Sequence, residues 1–134
     1  MGKHVSISPE EAADRLAIRE LVEAYAHFAD RRDARGQMAL FTPDTHFVVY
    51  MNAKDPTPSQ ELHSREALAA VFADQNQYAA TMHLLGQTTI LTLTSDRGTG
   101  ETLHYTDTYV KMDGAWLFAE RKLYVDWLEQ RELS

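Results

Sequence analysis

The segment AYAHFADRRDARG, residues 24–36, places Tyr25, His27, Asp30 and Asp33 at the end of an amphipathic helical pattern. A carboxylate held there could orient an imidazole, and an oriented imidazole can take a proton from a substrate, a general-base step contributing about 10²–10⁴-fold. A nearby tyrosine hydroxyl could donate to a carbonyl or a leaving group. The same charges could also form a solvated helix end. At roughly 100° per residue, Tyr25 falls within the stripe of Ile18, Val22 and Ala29 while Asp30 lies off it. Periodicity therefore reads Asp30 as a solvated acid, and Asp33, just before ARGQMALF, as the N-cap of a second short helix.

The histidines supply the other half of any such chemistry. His83 opens a long β-rich run after NQYAATM, where a lone histidine serves either as a hydrogen-bonded structural group or as a base. His104 lies within ETLHYTDTY. In a regular strand it would share one face with Thr102, Thr106 and Thr108, opposite Leu103, Tyr105, Asp107 and Tyr109, and either face could be the inner one. His4 lies in a tail, His27 is off the helical stripe, His46 opens a strand and His63 follows a loop. No HxH or HExxH pattern is present, so no metal is expected, although dispersed His and carboxylate ligands stay compatible with one. Nucleophile-elbow, Walker and dinucleotide fingerprints are absent, and DRGTGE reads as a two-glycine turn. No cofactor is expected.

Composition narrows the ligand. The chain has 134 residues, the size of one domain, with 44% hydrophobic and 25% charged residues. Thirteen basic against 20 acidic residues give a net charge of -7, which repels phosphate backbones and argues against nucleic acid. The absence of cysteine removes disulfides, thiolate zinc sites and cysteine nucleophiles. With no long apolar run and no apolar segment in MGKHVSISPE, no membrane association is expected and a cytoplasmic location follows by default.

The elements that must position these residues are legible in outline. SPEEAADRLAIRELVEAYAHFADRRD predicts a long helix capped by Ser8, with Pro9 at its first position and Ile18, Leu21, Val22, Tyr25 and Ala29 on one face. THFVVYM predicts a strand, NAKDPTPSQ a loop, ELHS a short returning strand, and REALAAVFADQNQ a helix capped by Ser64. Beyond residue 80, three long antiparallel strands are expected at about Thr81–Thr94, Thr99–Met112 and Ala115–Trp127, separated by DRG and DG turn signals. Helices first and strands last give an α+β plan with a curved sheet wrapped around the helices.

Three segments, AIRELVEAYAHFADRRDARGQMALF, MHLLGQTTI and YTDTYVKMDGAWLFAERKLYVDW, resemble the SnoaL-like branch of the nuclear-transport-factor-2-like superfamily. That group contains scytalone dehydratase, bile-acid dehydratase and hexachlorocyclohexane dehydrochlorinase. The resemblance spans almost the whole chain and implies a cone-shaped α+β barrel with a mixed or antiparallel sheet and an internal pocket. It places the family's catalytic aspartate on Asp30, its catalytic histidine on His83 and the bile-acid enzyme's tyrosine on Tyr25. His104 is the only local match to a second active-site histidine of scytalone dehydratase. The family often carries an insertion before YTDTYVK that is lacking here, so the sheet is expected to be a strand short or to have two strands fused.

The implied activity is that of a cofactor-independent lyase or isomerase acting on a hydrophobic, cyclic small molecule. Phe28, Tyr50, Phe72, Leu85 and Trp127 are candidate wall residues. The alternatives are a non-catalytic ligand-binding or assembly domain of the same fold and, further off, an epoxide hydrolase using a carboxylate and Arg121 around water. The family also implies a homodimer or homotrimer.

Overall fold

The structure, a computed structural model, describes residues 7–51, 54–75 and 88–124. Helix α1 (Pro9–Asp30) starts where the sequence signals it: the Ser8 hydroxyl accepts the Glu11 N–H at 3.1 Å and Pro9 needs no donor partner. Ile18, Leu21, Val22, Tyr25, Ala26 and Ala29 are its buried residues. Arg32, at φ 56°, ends it in the left-handed region: its N–H donates to the Ala29 carbonyl and the Asp33 N–H to that of Phe28, a Schellman closure. Asp33 then caps α2 (Ala34–Met38) by accepting the Gly36 N–H at 2.9 Å.

Among the described residues six strands follow: β1 (Phe41–Tyr50), β2 (Gln60–Leu62), then after α3 (Leu68–Gln75) β3 (Thr89–Leu93), β4 (Arg97–Glu101), β5 (Tyr105–Met112) and β6 (Ala115–Tyr124). They form one open, mixed sheet in the order β2-β1-β6-β5-β4-β3. Only the β1–β6 pairing is parallel; the other four are antiparallel. Register shifts in three of these pairings mark the bulges that bend the sheet. Its inner face packs Phe41, Phe47, Val49, Tyr105, Tyr109, Trp116, Phe118 and Leu123 against α1 and against Leu68, Val71 and Phe72 of α3. Ser64 caps the turn entering α3 by accepting the Ala67 N–H at 3.2 Å.

The expected strand Thr99–Met112 is corrected to two. Its residues turn at 102–104, closed by the Thr102 N–H on the Tyr105 carbonyl at 2.9 Å, and β4 pairs antiparallel with β5. The segment therefore holds two separate strands joined by a tight turn, where a missing strand or a fused pair was expected. Gly98 and Gly100, expected in a turn, lie inside β4 opposite Tyr109 and Asp107, and the turn lies at Ser95–Asp96. A Cβ on Gly100 would come within 2.8 Å of the Thr89 carbonyl and 3.0 Å of the Tyr109 hydroxyl, so this glycine makes room for Tyr109. The DG signal is a hairpin turn as expected, with Asp113 and Gly114 at φ 54° and 83°. The first part of the expected Thr81–Thr94 strand and the end of Ala115–Trp127 lie outside the described residues. No helix among the described residues is long and apolar enough to cross a membrane.

Candidate functional site

Beneath α1, the inner face of β5 and β6 carries a charge that the apolar core does not otherwise tolerate. Asp107 and Arg121 face each other in the antiparallel register, with Nε to Oδ1 at 2.8 Å and Nη2 to Oδ2 at 3.3 Å. Both are buried. Tyr109 donates its hydroxyl to Asp107 Oδ2 at 3.2 Å. The guanidinium carbon lies 3.7 Å from the Tyr105 ring centre, 4.3 Å from that of Phe118 and 4.4 Å from that of Tyr25, so the cation is sandwiched by π-faces. Tyr105 and Tyr25 bring their hydroxyls within 3.5 Å of each other.

A local irregularity makes this placement possible. Thr108 pairs with Glu120 and Tyr109 with Phe118, which leaves Ala119 as an extra residue in β6. The bulge flips the alternation, so that Phe118 and Arg121, three residues apart, both face inward. Buried Thr45 of β1 holds the bulge through its hydroxyl, which lies 3.3 Å from the Phe118 carbonyl and 3.0 Å from that of Ala119.

Burial and the ion pair act on these groups in opposite senses. Burial pushes the Asp107 carboxyl above its ordinary value, and Arg121 opposes this. Burial works against the Arg121 charge, but Asp107 together with Tyr105 and Tyr25 outweighs it and the guanidinium pKa is raised. Burial raises the phenols of Tyr25, Tyr105 and Tyr109, so all three remain O–H donors at neutral pH. Arg121 Nη1 is buried and has no hydrogen-bond partner among the described residues. Leaving a buried donor unsatisfied costs about 1–3 kcal/mol, more when it is charged. Both amide atoms of Gln37, the Thr42 hydroxyl and His104 Nδ1 are likewise buried with no partner among the described residues.

The residues singled out from the sequence separate into groups. Tyr25 is fully buried among Phe41, Phe72, Tyr105 and Phe118, all in edge-on contact, and Phe72 also meets Phe41 and Phe47. Phe28 is half-buried beside His27. Asp30 is exposed at the last residue of α1, and no hydrogen bond to its carboxylate involves a described residue. His104 lies in the β4–β5 turn, half-buried, its carbonyl accepting the Tyr124 N–H at 2.8 Å. Tyr50 stacks on Tyr124 at 4.7 Å, on the face of β1 opposite Phe47 and Val49, and so is parted from Phe72. His83, Leu85 and Trp127 lie outside the described residues.

Asp107, Tyr105 and Tyr109 were legible only as one of two possible strand faces, and the structure selects that face as the inner one. The carboxylate beside Arg121 is Asp107; its chain neighbour Glu120 points to the other face of β6, where it meets His46 at 2.6 Å.

An open curved sheet around one long helix, with a buried cation and protonated phenols on the inner face, places the chain among small α+β domains. The chain belongs to the SnoaL-like domain family, whose match runs over residues 10–103. Among solved structures it is similar to a variant of Rv3472 from Mycobacterium tuberculosis, of unknown function. There the TM-score is 0.70 at 22% identity, covering 93% of this chain and 80% of that one. It is also similar to a candidate scytalone dehydratase from Novosphingobium aromaticivorans (TM-score 0.64, 18% identity, 87% of each chain covered). A third is hexachlorocyclohexane dehydrochlorinase LinA-type3 from Novosphingobium barchaimii (TM-score 0.62, 16% identity, 84% of this chain and 86% of that one). These identities speak for the fold. Among curated proteins, none matches the chain by sequence.

Proposed function

We propose that this protein is a cofactor-independent lyase or isomerase that removes a proton from a hydrophobic, cyclic small molecule. The observation that carries the reading is the buried Arg121 guanidinium, whose Nη1 has no partner among the described residues, set among phenols that burial keeps protonated. A preorganised cation and O–H donors in a water-poor site favour developing negative charge on an enolate oxygen or a departing group. Asp107 holds the guanidinium in place and does not itself take up the substrate proton. In this proposal His83 is the general base and Asp30 orients its ring, as the family resemblance implies, with Tyr25 donating to the carbonyl or leaving group. The neighbouring folds named for dehydration and dehydrochlorination are in keeping with this chemistry.

The test is direct. The purified chain is incubated in D2O with cyclic β-hydroxyketones and halogenated cyclohexanes, and deuterium incorporation and elimination are followed by NMR. Turnover should be abolished by His83→Ala and severely reduced by Asp30→Asn. Turnover that survives His83→Ala would remove the dyad. A second reading is favoured by the Asp107–Arg121 pair itself, since a carboxylate and an arginine around water are what an epoxide hydrolase requires. Diol formation from cyclic epoxides, lost in Asp107→Asn and kept in His83→Ala, would select it. Binding of these compounds without any turnover would select the non-catalytic module.

A further inference from the structure

On the outer face of the sheet, away from the buried cluster, three side chains meet with metal-ligand chemistry. His46 sits on β1, Glu61 on β2, and His63 one residue past the end of β2. Glu61 pairs with Val48, two residues from His46, so the strand period of two puts both on one side, and Glu61 and His63 are themselves two apart. Glu61 Oε2 lies 2.7 Å from His46 Nε2 and 3.9 Å from His63 Nε2. The potential ligand atoms all fall within 4.8 Å of one another.

Tetrahedral N and O ligands bound at about 2.0–2.1 Å stand about 3.3 Å apart, so the two measured separations bracket what a small divalent ion needs. The His63 side chain is 72% exposed and can close the longer distance by rotating. The other nitrogen of His46, Nδ1, lies 2.6 Å from Glu120 Oε2, directly across the β1–β6 register. In the metal-free protein Nε2 donates to Glu61 at 2.7 Å, and a metal ion would take the place of that proton, while the Nδ1–H held by the Glu120 carboxylate is the outer-shell arrangement typical of metal-bound histidines. The His46 and His63 rings stack at 4.9 Å, and the second ring therefore lies beside the same oxygen.

We propose that His46, Glu61 and His63 bind one divalent transition-metal ion of the zinc class, oriented by Glu120, and that the ion clips the three-residue edge strand β2 to β1. Two imidazoles and one carboxylate suit zinc and its neighbours rather than magnesium or calcium, which take oxygen ligands. The site belongs to the opposite sheet face from the buried cluster, and the proposal stands whether or not that cluster is catalytic.

The experiment uses the full chain, untagged and stripped with a chelator. Zn2+ is titrated in competition with a chromogenic chelator, and thermal unfolding is recorded with and without the ion. One ion per chain and a raised unfolding temperature are expected. Glu61→Gln and His63→Ala should each weaken binding by about tenfold or more, Glu120→Gln by about 10–100-fold, and the exposed-site control His27→Ala not at all. Because His63 and Glu61 are exposed, these variants should fold, which circular dichroism checks. Unchanged zinc affinity in both Glu61→Gln and His63→Ala, or equal loss in His27→Ala, would overturn the site.

Discussion

Arg121 is a cation placed where a protein of this size has few ways to keep one. The bidentate contact with Asp107 and three π-faces compensate its desolvation, and removing one partner strands the other. Arg121→Met should therefore destabilise the chain by about 3–5 kcal/mol, while Asp107→Leu combined with Arg121→Met should recover much of that loss. Urea unfolding of the two single variants and the double variant checks this. A double variant no more stable than either single one would mean that the pair is not the source of the cost. At the same scale, Tyr25→Phe preserves the edge-on packing and removes only the hydroxyl. On any substrate found it should lower kcat by about 10²–10³-fold, the size expected for one oxyanion donor.

Between elements, two tethers deserve separate tests because they hold the site by different means. Thr45 connects β1 to the bulge that turns Arg121 inward. Thr45→Val keeps volume and shape but strips the hydroxyl, and should cost about 1 kcal/mol in stability. It should also lower turnover more than that loss of stability explains, because the bulge sets where the guanidinium points. Asp14 of α1 is the other tether. Its Oδ1 accepts the Trp116 indole N–H at 3.0 Å and the Lys111 ammonium at 3.0 Å, binding the helix to the β5–β6 hairpin. The hydrogen bond from Lys111, then that from Trp116, hold its carboxyl below the ordinary value. A depressed acid stabilises the fold above its unfolded value, about pH 4, and that contribution disappears as pH falls through the folded value. The stability difference between wild type and Asp14→Asn should therefore be present at pH 7 and shrink below about pH 4, as read by urea midpoints across pH.

Among the described residues the sheet is open, with β2 and β3 at its two edges, and edge strands are where a second chain can add. The stacked Tyr50 and Tyr124 on the outer face and the exposed Leu91 and Leu103 add apolar surface outside the core. We expect a homodimer or homotrimer. Sedimentation velocity at micromolar concentration should show a species larger than the monomer, and a single monomeric boundary would refute it.

The sequence by itself determined the helix caps, the buried helical stripe and one hairpin turn, all of which rest on local chemistry. Ser8, Pro9 and Asp33 marked helix boundaries because capping satisfies backbone donors within three residues. Ile18 through Ala29 marked the buried stripe because the helical period is fixed. Asp113 and Gly114 marked a hairpin because few residues accept positive φ. Tyr25 was legible for the same reason, lying on that stripe. Tertiary structure alone decided which face of β5 turns inward, since alternation names two faces and only the position of α1 chooses between them. It also decided the break at residues 102–104, where Gly98 and Gly100 serve strand packing beneath Tyr109 rather than a turn. Arg121 was hidden most deeply. The extra residue at Ala119 reverses the strand period, and what holds that bulge is Thr45, more than seventy residues away in sequence and in contact only once β1 and β6 lie parallel.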